Sequence, residues 1–345
     1  VRYADLSTDD TFAGAKCLVT GGLGFIGSNV VRRLTAAGAA VVVVDALVDG
    51  HGGDRRNLDA FGVDLGSHAP VRAVTVIEAD IGDDIVATAL DGVDVVFNLA
   101  GQVNHQASMR DPETDLATNT ISHSRFLEML RHVNPNAKVV HASTRQVYGK
   151  PLRTPVDETH PANPVDVNGV AKLAGEQLHM VYAHAHDMQI SSLRITNTYG
   201  PRQRLSSNEL GFLPVFFRKA LLNQTIDIYG DGTQRRDCLF VDDVVDALFA
   251  ACGSNAAGRV FNVGHDQHHS LAEIAELIIR RSGSTAGMRL IPWPGDQQRI
   301  DIGSFRSDSS LIAFELGWKA HTNLVDGVDE TLEFYRKHSW YQSSI

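Results

Sequence analysis

The stretch LVTGGLGFIGSNV, Leu18 to Val30, decides the fold. It joins a short apolar strand, a glycine turn and the start of an amphipathic helix. Gly22, Gly24 and Gly27 stand at G-x-G-x-x-G spacing, and Gly21 adds a fourth glycine. Glycine lets a backbone turn tightly and lie against a pyrophosphate. The helix that follows supplies unpaired N–H groups and the positive end of its dipole. Phe25 and Ile26 sit inside this turn and share its contact surface. The next strand, AVVVVD, ends in Asp45, eighteen residues beyond Gly27. A carboxylate there accepts both hydroxyls of an adenosine ribose and repels a 2′-phosphate, so the expected cofactor is NAD rather than NADP. The alternative for Asp45 is a solvated strand end.

Working outward, strands alternate with helices. The expected strands are 16–20, 40–45, 72–80, 94–100, 137–143 and 189–195, with helices between them, including one over about 116–132. Continuous apolar strands separated by helices indicate a doubly wound, Rossmann-type α/β fold with a parallel sheet. Asp80 and Ile81 end the third strand, where they would flank an adenine; a helix cap is the other reading of Asp80. NLAG, 98–101, ends the fourth, and Leu99 and Ala100 would let a cofactor lie against backbone. The spacing divides the chain into 1–199, with 1–14 a polar arm, and a smaller mixed α/β lobe over 200–345. Part of 235–265 is expected to return to the sheet. From Pro164 the pattern predicts a helix with Val170, Leu173, Ala174, Leu178 and Val181 as its apolar stripe. Asn168 and Lys172 share a face roughly opposite.

Composition bounds the function. The 345 residues carry a formal charge of −10, which argues against nonspecific binding to nucleic acid or an anionic membrane. The three cysteines are far apart and show no disulfide or zinc pattern, which suggests a reducing, cytoplasmic setting. No apolar run is long enough to span a bilayer. The histidines of GHDQHHS, 264–270, and HAH, 184–186, lack a second ligand cluster and read as solvated residues; no metal is expected.

TGGLGFIGS, NLAGQV, STRQVYG, NGVAK, LRITNTYGPR, YGDGTQRRDCLFVDDVVDAL and FNVG, taken together, resemble the extended short-chain dehydrogenase/reductase superfamily in its nucleotide-sugar epimerase/dehydratase branch. The resemblance covers almost the whole chain. It implies bound NAD, a nucleoside-diphosphate-sugar substrate in the C-terminal lobe and a homodimer built from two helices of each subunit.

The resemblance also marks two departures. Thr144 takes the family's Ser/Thr place and Lys172 its lysine place, but Asn168 stands where a tyrosine removes the substrate proton. An amide does not titrate in the useful range and can only orient a hydroxyl or water. Arg145 and Gln146 replace the acidic pair of the 4,6-dehydratases, which disfavours that reaction in its ordinary form. Four readings of the missing base stay open: Lys172, His105 in the loop after the fourth strand, Tyr148 or Tyr199, or no catalysis at all. A loop histidine without a catalytic role is the alternative for His105. Asn197, Arg236 and Arg299 take places associated with the substrate diphosphate or nucleoside, and Arg204, in the loop after YGPR, is a further candidate; surface ion pairing is the alternative for any one arginine. The expected activity is a 4-epimerase-like cycle through a keto sugar. A dehydratase-like or other redox-neutral reaction, or a non-catalytic binder of NAD and sugar nucleotide, are the alternatives.

Overall fold

The computed structural model describes residues 9–48, 51–59, 74–206 and 211–343. Its strands, in chain order, are β1 Lys16–Thr20, β2 Ala40–Asp45, β3 Thr75–Glu78, β4 Val95–Asn98, β5 Lys138–Thr144, β6 Ile190–Ile195, β7 Asn197–Tyr199, β8 Ile226–Tyr229, β9 Arg235–Arg236, β10 Cys238–Phe240, β11 Arg259–Val263, β12 His269–Ser270 and β13 Met288–Ile291. Seven of them form one parallel sheet in the order β11-β6-β5-β4-β1-β2-β3. The chain winds outward from β1 to β3, then crosses back to β4 and winds the other way. The β1/β4 boundary is therefore the switch point, where a crevice opens beyond the carboxyl ends of the strands. The third strand is shorter than expected, and residues 72–73 of the expected span lie outside those described.

The continuous apolar strands are explained by burial on both faces. On one face Val19, Val43, Phe97, Val140 and Leu193 pack under Val30, Val31 and Leu34 of the helix Phe25–Ala36 and under Val244, Val245 and Leu248 of the helix Val241–Ala250. On the other, Leu18, Val44, Val96 and Val139 meet Phe126, Leu127, Leu130 and Met180. Neighbours such as Leu18 and Val19 point to opposite faces, as the pleat requires. The segment 241–263 belongs to this sheet, and Ile312, Leu316 and Trp318 pack on it as well. A second core joins Phe216, Phe217, Ile228, Ile274, Ile278, Val328 and Leu332 in the C-terminal lobe.

Three local expectations are corrected. The polar arm ends in a short 3₁₀ turn, Asp9–Phe12, that buries Phe12 against Phe97 and Phe249; residues 1–8 lie outside those described. The helix expected over 116–132 starts earlier, at Pro112, because Asp111 accepts the Thr114 N–H and proline suits the first turn. It then widens into a π-helical turn, Ala117–Ile121, before continuing as Ser122–Val133. The third correction is an inversion. On the helix Val167–Ala185 the buried side is Asn168, Lys172, Glu176 and His179, while Val170 and Val181 are 49% and 55% exposed. The polar side can face inward because it is internally satisfied. Arg194 Nε donates to Glu176 at 2.9 Å, Ser143 donates to the same carboxylate, and Asn98 serves His179. Among the described residues no helix is long and apolar enough to cross a membrane.

Candidate active site

One elongated cavity runs across the carboxyl ends of the strands. At one end it is lined by Gly21, Gly24, Phe25, Ile26 and Gly27, with Asp45, Asp80, Ile81, Leu99 and Ala100 around them. The turn is tight enough that a Cβ at Gly27 would strike the Gly21 carbonyl, and one at Gly21 (φ +65°) would meet the Ala100 backbone. Gly24 caps the helix Phe25–Ala36 without a side chain, so the first-turn N–H groups face an open crevice. Asp45 accepts N–H bonds from Leu23 and Leu47, both at 3.0 Å. Burial pushes its pKa up, and those two bonds pull against the rise. Each oxygen keeps a lone pair for a ribose hydroxyl. Asp80 lines the cavity and accepts the Gly82 N–H at 2.8 Å within a turn; the cap position of the next helix is Asp83, so the helix-cap reading of Asp80 is not met. Sequence reasoning missed His51, Gly53 and Thr118 on this wall, because no motif marks them.

Beneath Leu99 and Ala100 lies a closed polar network. The Thr20 hydroxyl donates to Asn98 Oδ1 at 2.7 Å and accepts the N–H groups of Leu99 and Ala100. The Asn98 amide nitrogen must then donate, and it meets His123 Nδ1 at 3.2 Å and His179 Nε2 at 2.9 Å. Both histidines are thus assigned as neutral acceptors at those nitrogens. Nitrogens of His123, His141 and His179 lie within 4.8 Å of one another, but the lone pairs of two of them are turned onto Asn98 rather than onto a shared centre. Of the histidines expected in solvent, His184 and His186 are exposed, whereas His265 is buried and accepts the Gln267 N–H.

Thr144, Lys172, His105 and Asn197 also line the cavity, as does Arg204, whose charge acts on His51 and Asp54. The Thr144 hydroxyl accepts the Gln146 N–H at 3.2 Å and caps a short 3₁₀ turn. Lys172 is 7% exposed; burial pulls its pKa down to about 8, against the opposing pull of Asp115. His105 opens a short helix, and its Nδ1 lies 2.9 Å from Asp166 Oδ2. Arg145, half-buried, donates to Asn197 Oδ1 at 3.0 Å, which leaves the Asn197 amide nitrogen buried and unpaired. Arg204 donates to the Ser206 hydroxyl at 2.7 Å.

Several expected site residues are elsewhere. Asn168 is 2% exposed and commits both amide hydrogens, to the Gln102 carbonyl at 2.9 Å and to Asp115 at 3.0 Å. It is therefore not a group on the cavity wall that orients substrate. Arg236 is buried, donating to the carbonyls of Arg235 and Gly303 and lying 3.5 Å from Asp301. Arg299 is exposed on the helix Gly295–Ile300. Neither arginine lines the cavity, because the segment 295–304 folds over one and carries the other outward. Tyr148 donates to Asn262 at 2.7 Å and receives Arg194, with burial pushing its pKa up to about 12. Tyr199 is buried in the second core. Neither phenol reaches the cavity, so among the titratable candidates for the base Lys172 and His105 do.

The model of the NAD dependent epimerase/dehydratase family matches residues 17–264. A UDP-glucose 4-epimerase of Mycolicibacterium smegmatis is 34% identical over 330 residues, spanning 94% of this chain and 99% of that protein. A dTDP-glucose 4,6-dehydratase of Actinoplanes sp. is 30% identical, spanning 94% and 99%. Among solved structures, UDP-glucuronic acid 4-epimerase from Bacillus cereus, in complex with UDP-glucuronic acid and NAD, superposes with a TM-score of 0.82 at 27% identity, covering 94% of this chain and 99% of that one. With a seven-stranded Rossmann-like sheet, a glycine turn at its switch point and sequence similarity along nearly its full length, the chain belongs to the NAD-dependent epimerase/dehydratase family of the extended short-chain dehydrogenase/reductases.

Proposed function

We propose that the protein is an NAD-dependent nucleoside-diphosphate-sugar epimerase of the 4-epimerase type. The observation that carries this reading is one continuous cavity joining the glycine turn and Asp45 to Thr144, Lys172 and His105. NAD fits the first half: the glycine turn and the helix start would hold the pyrophosphate, Asp45 the adenosine ribose, and Ile81 with Leu99 the flat faces. When bound there, NAD supplies reversible acceptance of hydride from a sugar carbon. Lys172 would hold the nicotinamide ribose, and Thr144 the reacting hydroxyl. The unpaired Asn197 amide and Arg204 would donate to the diphosphate.

An isomerase is favoured over a lyase by the two residues after Thr144. Arg145 is spent on Asn197, and Gln146 donates to Asp166 at 2.9 Å. No acidic pair follows the threonine to expel water from the sugar. The exposed Val170 and Val181, eleven residues apart and hence on one side of their helix, support a homodimer through that helix. The buried Cys17 and Cys238 and half-buried Cys252 are free thiols, which suits a cytoplasmic location.

Purified protein incubated with NAD and a panel of UDP-, GDP-, CDP- and dTDP-sugars is expected to yield an isomer of unchanged mass from at least one of them. Loss of water would replace the isomerase reading with a dehydratase. Saturable binding without turnover across the panel would leave a binding protein.

A further inference from the structure

His105 and Asp166 come from separate segments and meet at the cavity wall, with Nδ1 to Oδ2 at 2.9 Å. The Asp166 side chain is 0% exposed, whereas the imidazole is 39% exposed. The ring atom sealed from solvent is Nδ1, so the open edge is the one bearing Nε2. The two atoms are at ion-pair distance without an aligned hydrogen bond, so Nδ1 is buried with no other partner. Asp166 itself is tightly held. Oδ1 accepts the Gly169 N–H at 2.7 Å and so caps the helix that carries Lys172; Oδ2 accepts from Gln146 Nε2 at 2.9 Å. Burial alone would raise its pKa, but the neighbouring His105 and the bonds from Gly169 and Gln146 outweigh burial and hold it below the ordinary value. It is an ionised, immobile acceptor aimed at one histidine nitrogen.

We propose that His105 and Asp166 form a dyad that replaces the missing phenol: His105 takes the sugar hydroxyl proton at Nε2, and Asp166 is the positioning residue that keeps the other proton on Nδ1. This rests on the epimerase reading given above. In the forward step the hydroxyl O–H bond breaks and an N–H bond forms at Nε2. The released electron pair becomes the second carbonyl bond as the same carbon gives up its hydride to NAD. The imidazolium returns the proton when the hydride comes back, so the cycle closes without net oxidation. A carboxylate behind the ring stabilises the imidazolium formed in between. Gln146 gains a role as well, since it fixes the carboxylate from the far side.

The helix of His105 packs against Val167–Ala185 and Pro112–Leu116. The charged groups on those elements are Asp166 and Lys172, Glu176 spent on Arg194, Asp115 spent on Asn119 and Asn168, and the exposed Glu113. Arg110 is the charge on the histidine's own helix. Loss of the Asp166 charge therefore leaves His105 in a more cationic setting.

The test uses the full-length protein with NAD. Nitrogen-15 NMR of histidine-labelled wild type, assigned with His105→Gln, should show His105 as the Nδ1–H tautomer near neutral pH. Asp166→Asn preserves a good helix cap and removes the charge; it should weaken that tautomer preference. With a nucleotide sugar that turns over, it should lower kcat roughly 100-fold with KM within about threefold, and move the acid limb of the pH–rate profile to lower pH by about one unit. His105 found as the Nε2–H tautomer, or Asp166→Asn with wild-type kcat and pH profile, overturns the dyad and leaves the epimerase reading intact. The wild-type tautomer is read without turnover and without a variant that must fold. The expected tautomer alongside a failed sugar panel upholds the pairing while the epimerase reading falls.

Discussion

Asn168 donates an amide hydrogen to Asp115 at 3.0 Å, and this bond ties the Lys172 helix to the helix Pro112–Leu116. With the second bond, to the Gln102 carbonyl, the asparagine joins three segments of chain behind the cavity. Asn168 is a brace.

A brace and a catalyst fail differently. Asn168→Ala should lower stability by about 1–3 kcal/mol, because it strips a donor from a buried carboxylate and from a buried carbonyl. Turnover per folded molecule should stay within about threefold of wild type. Urea unfolding and steady-state kinetics on the same preparation check both; intact stability with collapsed kcat would put the amide on the substrate.

Lys172 should show the opposite pattern. Its folded pKa, about 8, lies below the ordinary 10.5, so the fold disfavours the charged form. At pH 7 the lysine is charged in both states and that penalty is fully present; it fades as pH rises from about 8 towards 10.5. Lys172→Met should therefore raise the thermal midpoint at pH 7, with a smaller gain at pH 10, while turnover falls on the order of 100-fold or more. A destabilised Met variant would contradict this account of the buried ammonium.

Acid should unfold the protein through the histidines under the cofactor floor. Burial is the main cause that lowers His123, His141 and His179, the last to about 4. Protons then bind the unfolded chain first. Stability from these groups is complete above about pH 6.5 and declines as pH falls through that value towards 4. His179 alone accounts for roughly 3 kcal/mol of the loss. Urea midpoints measured from pH 7.5 to 4.5 should fall steadily across this window, and a flat profile would mean the cluster is hydrated or already charged.

Asp45 should set cofactor preference. Asp45→Ala should weaken NAD binding roughly tenfold or more and narrow the gap to NADP, as calorimetry with both cofactors would report. Unchanged discrimination would place the ribose elsewhere.

Val181→Arg should convert a homodimer to monomer, read by sedimentation velocity, while NAD binding persists. A wild-type chain that sediments as a monomer would remove the interface at this helix.

The glycine turn, Asp45 and the strands on either side of the switch point were legible because each is written locally, in spacing and in apolar runs. The orientation of the Lys172 helix was not. Periodicity finds two faces, but which one turns inward depended on Arg194, Asn98 and Asp115, far away in sequence, satisfying its polar side. Asp166 carried no signal that set it apart in the sequence, because its meeting with His105 is a tertiary fact. Arg236 and Arg299 carried the expected chemistry at family spacing, and the folding of 295–304 decided where they went.

The central claim is that a sugar carbon is oxidised and reduced in place by tightly held NAD. It is tested most directly with a nucleotide sugar deuterated at C4. The account predicts an isomer of unchanged mass that keeps its deuterium at C4 in ordinary water. Deuterium lost to solvent from that carbon, or a product lighter by one water, would contradict it.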